Sequence, residues 1–211
     1  MNVLELACGT GKVWKGKDAR LPDGMKIILS DISQPMVIKA RELLQTNPAF
    51  SFETIDIQDI PYENEAFDIV IANHMLYHVP DIQKALSEVR RVLKGGGKFY
   101  ATTIGDNSLK ELNDIYNQFE SRAQFAYSKD ISFTLENGGA MLNEFFTNVE
   151  KRLYIDALEV TDINALMDYI KSYNKIPEPI YDEFYTQIQN GFSGDGIFYI
   201  QKEQGIFICG K

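Results

Sequence analysis

The chain has 211 residues, with 21 Lys and Arg against 30 Asp and Glu, so its formal charge is −9. Its content of 45% hydrophobic and 24% charged residues is typical of a folded globular protein and excludes a disordered or fibrous chain. The negative charge argues against nucleic-acid binding, because neutralising phosphates requires clustered Lys and Arg. No apolar run approaches the roughly 20 residues of a membrane-spanning helix, so we expect no membrane association.

The first hundred residues alternate short β-branched runs with helical patterns, which indicates consecutive βα units and a parallel sheet. The helical pattern from Gln34 to Leu44 has Ser33 as its N-cap, and the one opened by Asp81 stops at the glycines 95–97. Strands are predicted at Val3–Leu6, Met25–Ser30, Phe50–Ile55, Phe67–Ala72 and Lys98–Thr103.

The second half of the chain is less regular. It predicts one further strand, Val149–Leu158, and a terminal hairpin of Ile197–Ile200 and Ile206–Cys209 around Gln204-Gly205. Helical patterns cover Ser108–Phe119, Gly139–Phe146, Thr161–Tyr173 and a segment from Pro177 to about Gly191.

Two glycines follow the first predicted strand, where we expect a helix to begin. Gly9 and Gly11 let the backbone turn tightly and approach a ligand without an intervening Cβ. Asp31 ends the second strand, where a carboxylate can accept both hydroxyls of a ribose. This arrangement fits any nucleotide-binding α/β sheet, including that of a dinucleotide dehydrogenase.

The sequence lacks the third glycine of the dinucleotide-binding fingerprint, which argues against a site for a pyrophosphate. That fingerprint needs Gly or Ala at position 14, where the sequence has Trp14, and a frame that starts at Ala7 puts Lys12 there. A Gly-Lys-Ser/Thr phosphate loop is also missing from the sequence. The sequence therefore predicts a nucleoside cofactor without phosphates.

Five segments in this order resemble the motifs of class I S-adenosylmethionine-dependent methyltransferases, the type 11 group with quinone-biosynthesis C-methylases in particular. Val-Leu-Glu-Leu-Ala-Cys-Gly-Thr-Gly at 3–11 is similar to motif I, and Leu-Ser-Asp-Ile-Ser-Gln-Pro-Met at 29–36 resembles motif II. Asp-Ile-Gln-Asp-Ile-Pro-Tyr at 56–62, Phe-Asp-Ile-Val-Ile-Ala-Asn-His at 67–74 and Arg-Arg-Val-Leu-Lys-Gly-Gly-Gly at 90–97 resemble the later elements. The resemblance covers residues 3–104.

The resemblance implies a Rossmann-like, doubly wound α/β fold, with a mostly parallel seven-stranded sheet, helices on both faces and a helical cap. We expect residues 1–211 to form one methyltransferase domain. Residues 1–106 would be its cofactor-binding half, 107–193 its substrate and cap helices with a sheet strand, and 194–211 the terminal hairpin. The family's N-terminal cap is expected to be absent.

The resemblance also assigns residues to the cofactor. Asp31 would hold the ribose, Ile32 follows it, and Met36 would pack on the adenine, although Met36 equally suits the buried stripe of its helix. Asp56 would accept from the adenine amino group, with Asp59 as the alternative, while the backbone N–H of Ile57 meets a ring nitrogen.

The methionyl end of the cofactor is expected to lie at motif I and after the fourth strand. Glu5 and Asn73 would contact the methionyl ammonium, and Gly9 and Gly11 would allow the close approach. Ala7 stands where the family has glycine, and its methyl group narrows the room for the cofactor.

Polar side chains after the fourth strand lie at the carboxyl edge of the sheet, where α/β proteins bind ligands. His74 and Tyr77 are the candidate catalytic groups, and together with His78 they are candidates for orienting the substrate, against a purely structural role. The spacing of the two histidines suits zinc, but the sequence offers no third ligand, so we expect no metal.

The predicted function is methyl transfer from S-adenosylmethionine to a small molecule by in-line displacement. The alternatives are a non-catalytic cofactor-binding domain and an RNA or protein methyltransferase. We expect a cytoplasmic protein, because its two cysteines suggest no disulfide framework, and a homodimer is considered as its assembly. Aromatic side chains of the second half are expected to form a lid and acceptor pocket or to be plain core: Phe119, Phe125, Tyr127, Phe133, Phe145, Tyr169, Tyr173, Tyr181 and Phe184.

Overall fold

The computed structural model describes residues 1–17, 20–119, 121–122, 131–173 and 176–211, and for Tyr173 only the backbone. Phe125 and Tyr127 lie outside the described residues. The strands are β1 (Asn2–Leu6), β2 (Lys26–Asp31), β3 (Phe50–Thr54), β4 (Phe67–Asn73), β5 (Leu93–Ile104), β6 (Thr147–Val160) and β7 (Phe198–Gly210). The α-helices are α1 (Gln34–Leu44), α2 (Ile82–Val92), α3 (Lys110–Phe119), α4 (Gly138–Asn143), α5 (Ile163–Tyr173) and α6 (Glu178–Asn190).

The strands form one sheet in the order β3-β2-β1-β4-β5-β7-β6. The neighbours from β3 to β5 are paired in parallel. The backbone N–H of Lys211 donates to the carbonyl of Gly97 at 3.2 Å, so β7 ends where β5 begins. The Thr147 hydroxyl donates to the carbonyl of Gly210 at 3.1 Å, so β6 begins where β7 ends. Strand β7 thus runs antiparallel to β5, and β6 runs antiparallel to β7, and the predicted mostly parallel, Rossmann-like sheet of seven strands is confirmed.

Helix α2 shows how the sequence specifies its elements. Its apolar residues recur at helical spacing and are all buried, and the Asp81 side chain caps it by accepting from the backbone N–H of Lys84 at 2.9 Å. The helix ends at Val92, and the chain enters β5 directly. Helix α1 begins and ends as predicted, although its N-cap Ser33 makes no side-chain capping bond.

The residues form two compact units. One comprises Met1–Thr103, Ser132–Arg152 and Gly205–Lys211, and the other comprises Ile104–Ile131 and Leu153–Gln204. The core of the first unit lies between the sheet and α2, and it includes the buried Phe133. The core of the second unit joins α3, α5 and α6 and includes Phe119 and Phe184, whose rings meet edge to face at 5.4 Å. These three aromatic side chains are therefore core residues.

Two predicted elements are wrong. Residues 198–210 form the single strand β7, where we expected a hairpin at Gln204-Gly205. Gly205 stays extended because its missing side chain admits the carbonyl oxygen of Arg152, which would lie 2.6 Å from a Cβ. After Gly11 the chain forms only the short 3₁₀ helix Lys12–Trp14, where we expected an α-helix.

None of the helices in the described part of the chain combines the length and the hydropathy needed to cross a lipid bilayer.

Candidate functional site

The loop after β1 is fastened to the end of β2. The backbone N–H of Cys8 donates to the carbonyl of Ser30 at 2.8 Å, and that of Gly9 donates to Oδ2 of Asp31 at 2.9 Å. The other oxygen of Asp31 accepts from the backbone N–H of Ser33 at 2.9 Å. A carboxylate with two backbone donors is held in one orientation, so Asp31 presents its remaining lone pairs in a fixed direction.

A cavity of about 240 Å³ opens beside Asp31 at the carboxyl ends of the parallel strands. Such an edge is where open α/β sheets bind their ligands. Of the residues that the sequence singles out, Ala7, Asp31, Ile32, Asp56, Ile57 and His78 line the cavity. Six further lining residues were missed: Leu6, Ile55, Gln58, Met75, Val79 and Pro80. The available signal was their position at the carboxyl ends of predicted strands or in the loops that follow them.

The segment that carries Asp56 and Ile57 is held by α2. The Arg91 guanidinium donates to the carbonyl of Ile60 at 2.8 Å and to that of Tyr62 at 2.6 Å, and Glu88 accepts the backbone N–H of Ile60 at 3.0 Å. Asp56 itself accepts from the backbone N–H of Gln58 at 2.8 Å. This wall of the cavity is therefore preorganised by the protein.

Glu5, next to the cavity-lining Leu6 in the sequence, is buried and accepts hydrogen bonds from two side chains. The Asn73 side-chain amide donates to Oε1 at 3.0 Å, and the Trp14 indole N–H donates to Oε2. Burial raises the pKa of Glu5, while both hydrogen bonds lower it. Glu5 and Asn73, predicted as ligands, thus come together in one network. In the sequence, Trp14 served only as an argument against a pyrophosphate. Its hydrogen bond to Glu5 was not predicted, because this contact depends on tertiary structure.

Trp14→Phe is expected to lower the free energy of unfolding by about 1–3 kcal/mol, because a buried carboxylate loses one of its donors. The loss should grow with pH. Folded Glu5 keeps its proton above its ordinary pKa of 4.5, so stability falls as the pH rises from that value to the raised pKa. Removing the indole N–H raises the pKa of Glu5 further. The free energy of unfolding of the variant therefore continues to fall up to a higher pH than that of the wild-type protein. Chemical unfolding followed by circular dichroism across this range measures the effect.

Tyr62→Phe is the matched control, since the Tyr62 hydroxyl donates to the half-buried Glu53 at 2.6 Å. A loss that is equal in both variants, or independent of pH for Trp14→Phe, would contradict the assigned network.

The two glycines of motif I have different surroundings. A Cβ on Gly9 would have no neighbour within 4 Å, whereas one on Gly11 would lie 2.9 Å from Leu44 Cδ1 and 3.2 Å from the Cβ of Ala40. Both residues have a left-handed backbone, with φ of 56° and 71°. Gly9 thus leaves open space, and Gly11 serves the packing of α1.

Ala7 adopts a left-handed conformation that favours glycine, with φ of 57°. We expect Ala7→Gly to raise the free energy of unfolding by about 0.5–1 kcal/mol. The relief of roughly 1–2 kcal/mol of backbone strain outweighs the roughly 0.4–1 kcal/mol by which glycine favours the unfolded chain. Urea denaturation measures the change. Ala40→Gly, inside α1, should instead lower stability by about 1 kcal/mol. A destabilised Ala7→Gly variant would refute the assigned strain.

Met36 is 36% exposed, and the buried residues of α1 are Val37, Ala40 and Leu44. The core alternative for Met36 is therefore wrong, and its side chain remains available to a ligand. Ile32, on the rim of the cavity, is 68% exposed. Both apolar side chains lie in the motif II segment.

His74, Tyr77 and His78 follow β4, but only His78 lines the cavity. His74 is exposed and left-handed, with φ of 50°, and its backbone N–H donates to Thr102 Oγ1 at 3.0 Å. Tyr77 meets His78 edge to face at 4.5 Å, and burial raises the pKa of its phenol.

Cys8 is no nucleophile at neutral pH, because burial raises the pKa of its thiol to about 12.

The charge of the cavity wall suits a cation. Its described lining includes the carboxyl groups of Asp31 and Asp56 and contains no Lys or Arg. A phosphate group would meet repulsion there without compensation, whereas a positively charged ligand would be attracted. The wall therefore suits a positively charged ligand.

Residues 4–101 match the family model described as a methyltransferase domain. The malonyl-[acyl-carrier protein] O-methyltransferase of Salmonella typhimurium is 31% identical over 125 residues, which are 58% of this chain and 46% of that protein. The ubiquinone/menaquinone biosynthesis C-methyltransferase of Pectobacterium carotovorum is 29% identical over 120 residues, 56% of this chain and 48% of that protein. The chain thus spans about half the length of the curated relatives it matches.

The fold also has a solved counterpart. Phosphoethanolamine N-methyltransferase 2 of Haemonchus contortus, solved with phosphomonomethylethanolamine and S-adenosylhomocysteine, superposes with a TM-score of 0.58 at 18% identity. The alignment covers all of this chain and 49% of that one. The match over residues 4–101, the two relatives and the mostly parallel sheet together support a class I S-adenosylmethionine-dependent methyltransferase.

Proposed function

We propose that the cavity beside Asp31 binds S-adenosylmethionine and that the protein transfers its methyl group to a small molecule. The position of the Asp31 carboxylate carries this proposal: it ends β2, has a fixed orientation and lines the cavity. Its free lone pairs can accept both ribose hydroxyls. The family supplies the identity of the cofactor, and the two relatives, named for malonyl-[acyl-carrier protein] and for ubiquinone/menaquinone biosynthesis, support a small-molecule acceptor.

The other lining residues suit the adenine. Ile32 and Met36 offer apolar surface for its ring, and Asp56 and the backbone N–H of Ile57 suit its polar edge. Glu5 adds a buried negative charge next to Asn73, which favours the ammonium of the methionyl group. Gly9 leaves the room that this end of the cofactor requires.

The bound cofactor supplies an electrophilic methyl group, so the protein needs no nucleophile of its own. The work of the chain is to align the acceptor with the methyl and sulfur atoms and to exclude water. His78 lies at the cavity and suits acceptor orientation, and His74 and Tyr77 are the further candidates for orientation or proton removal. We assign the protein to the reducing cytoplasm, where its free Cys8 and Cys209 persist.

The test is titration calorimetry of this chain with S-adenosylmethionine, S-adenosylhomocysteine and NAD. Binding of the first two and not of NAD is expected, because the dinucleotide carries a pyrophosphate. Labelled S-adenosylmethionine is then incubated with a metabolite extract, and we expect a labelled small molecule. Labelled RNA or protein in place of a metabolite would overturn the acceptor class. Cofactor binding without any methyl transfer would favour the non-catalytic alternative.

A further inference from the structure

The outermost strand of the sheet, β6, has apolar side chains in solvent. It ends the strand order, and every side chain from Glu150 to Glu159 is exposed. Leu153, Tyr154 and Ile155 are 52%, 60% and 64% exposed. A long edge strand with exposed apolar residues is a template for another strand, and folded proteins usually protect such an edge.

We propose that β6 pairs antiparallel with β6 of a second copy of this chain, about a two-fold axis through Tyr154. A two-fold interface must be self-complementary, because each residue i that meets residue j is matched by j meeting i. With the axis at Tyr154, Tyr154 faces its own copy and Leu153 faces Ile155. Arg152 faces Asp156 on both sides of the axis.

The order of residues along β6 favours this register. Side chains alternate between the two faces of a strand, so Arg152, Tyr154 and Asp156 share one face, and Leu153 and Ile155 share the other. One face of the pair would then carry two salt bridges that flank an aromatic pair, and the centre of the opposite face would carry the two contacts between Leu153 and Ile155. Cross-strand pairs of these kinds stabilise antiparallel sheets.

The neighbouring registers that keep the same faces are poorer. Moving the axis to Leu153 places Glu150 opposite Asp156, which opposes like charges. Moving it to Ile155 places Tyr154 opposite Asp156. Arg152 now pairs with Glu150 at 2.7 Å, with both side chains more than half exposed, and such a pair contributes little stability. Replacing Glu150 by Asp156 of the second copy as the partner of Arg152 therefore costs little free energy.

Sedimentation equilibrium of the wild-type chain over about a hundredfold range of concentration tests the assembly, because a dimer held by one strand pair should dissociate on dilution. Arg152→Glu and Asp156→Arg should each weaken the dimer by about tenfold or more, since each creates two like-charge pairs. The double variant restores opposite charges and should recover the wild-type constant. Lys39→Glu, on the exposed side of α1, is the control and should leave the dimer unchanged.

Cysteine cross-linking tests the position of the axis. Tyr154→Cys would face its own copy at a distance that a disulfide can span, and it should cross-link on mild oxidation. Leu158→Cys is also exposed but would face Glu150, far from its own copy, and it should not cross-link. Wild-type protein controls for Cys8 and Cys209.

A wild-type chain that stays monomeric at every concentration would overturn the proposal. So would a dimer that the charge reversals leave intact, or one that the double variant fails to restore. Equal cross-linking of both cysteine variants would overturn the register. Because none of these measurements uses the cofactor, their outcome does not depend on the proposed methyl transfer.

Discussion

Asp31→Ala is expected to weaken S-adenosylmethionine binding by at least about a hundredfold, since two charge-assisted hydrogen bonds to the ribose would be lost. The variant should also lose about 2–4 kcal/mol of stability, because the backbone N–H groups of Gly9 and Ser33 lose their acceptor. Titration calorimetry gives the binding constant, and urea unfolding gives the stability. We expect both losses because the Asp31 carboxylate holds the loop after β1 and would also bind the ribose.

Asp31→Asn separates the two effects. Its side-chain oxygen can still accept one backbone N–H, so the variant should stay folded, while its affinity should fall by about tenfold or more. Asp68→Asn is the matched control, because Asp68 also accepts a backbone N–H, that of Asn2 at 2.6 Å, and does not line the cavity. Wild-type affinity in the folded Asp31→Asn variant would refute the ribose assignment.

Gly11→Ala is expected to lower the free energy of unfolding by about 2–4 kcal/mol. A Cβ at this position would press on Leu44 and Ala40 of α1, and overpacking of this kind costs roughly 1–3 kcal/mol. The left-handed backbone adds roughly 1–2 kcal/mol. Chemical denaturation of the two proteins measures the difference.

Gly9→Ala is the comparison that isolates the packing effect. Its backbone is also left-handed, but its Cβ would meet nothing within 4 Å, so only the conformational cost of roughly 1–2 kcal/mol remains. Its Cβ would instead occupy space that we assign to the cofactor, so binding should suffer more than stability. Equal destabilisation by both substitutions would contradict the packing role of Gly11.

Helix-breaking and strand-forming patterns made most elements of the first hundred residues predictable. The strands β1, β2 and β4 are short apolar runs with turn residues beside them, and α1 and α2 carry apolar stripes of helical period, so local sequence suffices to locate them. Asp31 was predictable for the same reason, because it ends a strand whose place in the sheet follows from the βα order. Its role as acceptor for the backbone N–H groups of Gly9 and Ser33 was not predictable from the sequence.

Long-range contacts decided the rest. One hydrogen-bond network joins Glu5, Trp14 and Asn73, although 68 residues separate Glu5 from Asn73. No periodic pattern in the sequence predicts a contact over this separation. The same holds for Gly11 against α1, and for β7, where the neighbouring strand keeps Gly205 extended against the turn signal of the local sequence. Local preferences amount to about 1 kcal/mol per residue, so tertiary packing overrides them. The sequence by itself therefore predicted the parallel strands of the first half and the carboxylate of Asp31 at the end of β2. Only the tertiary structure decided which side chains donate to the buried Glu5 and which of the two glycines packs against α1, because these contacts join residues that are distant in the sequence.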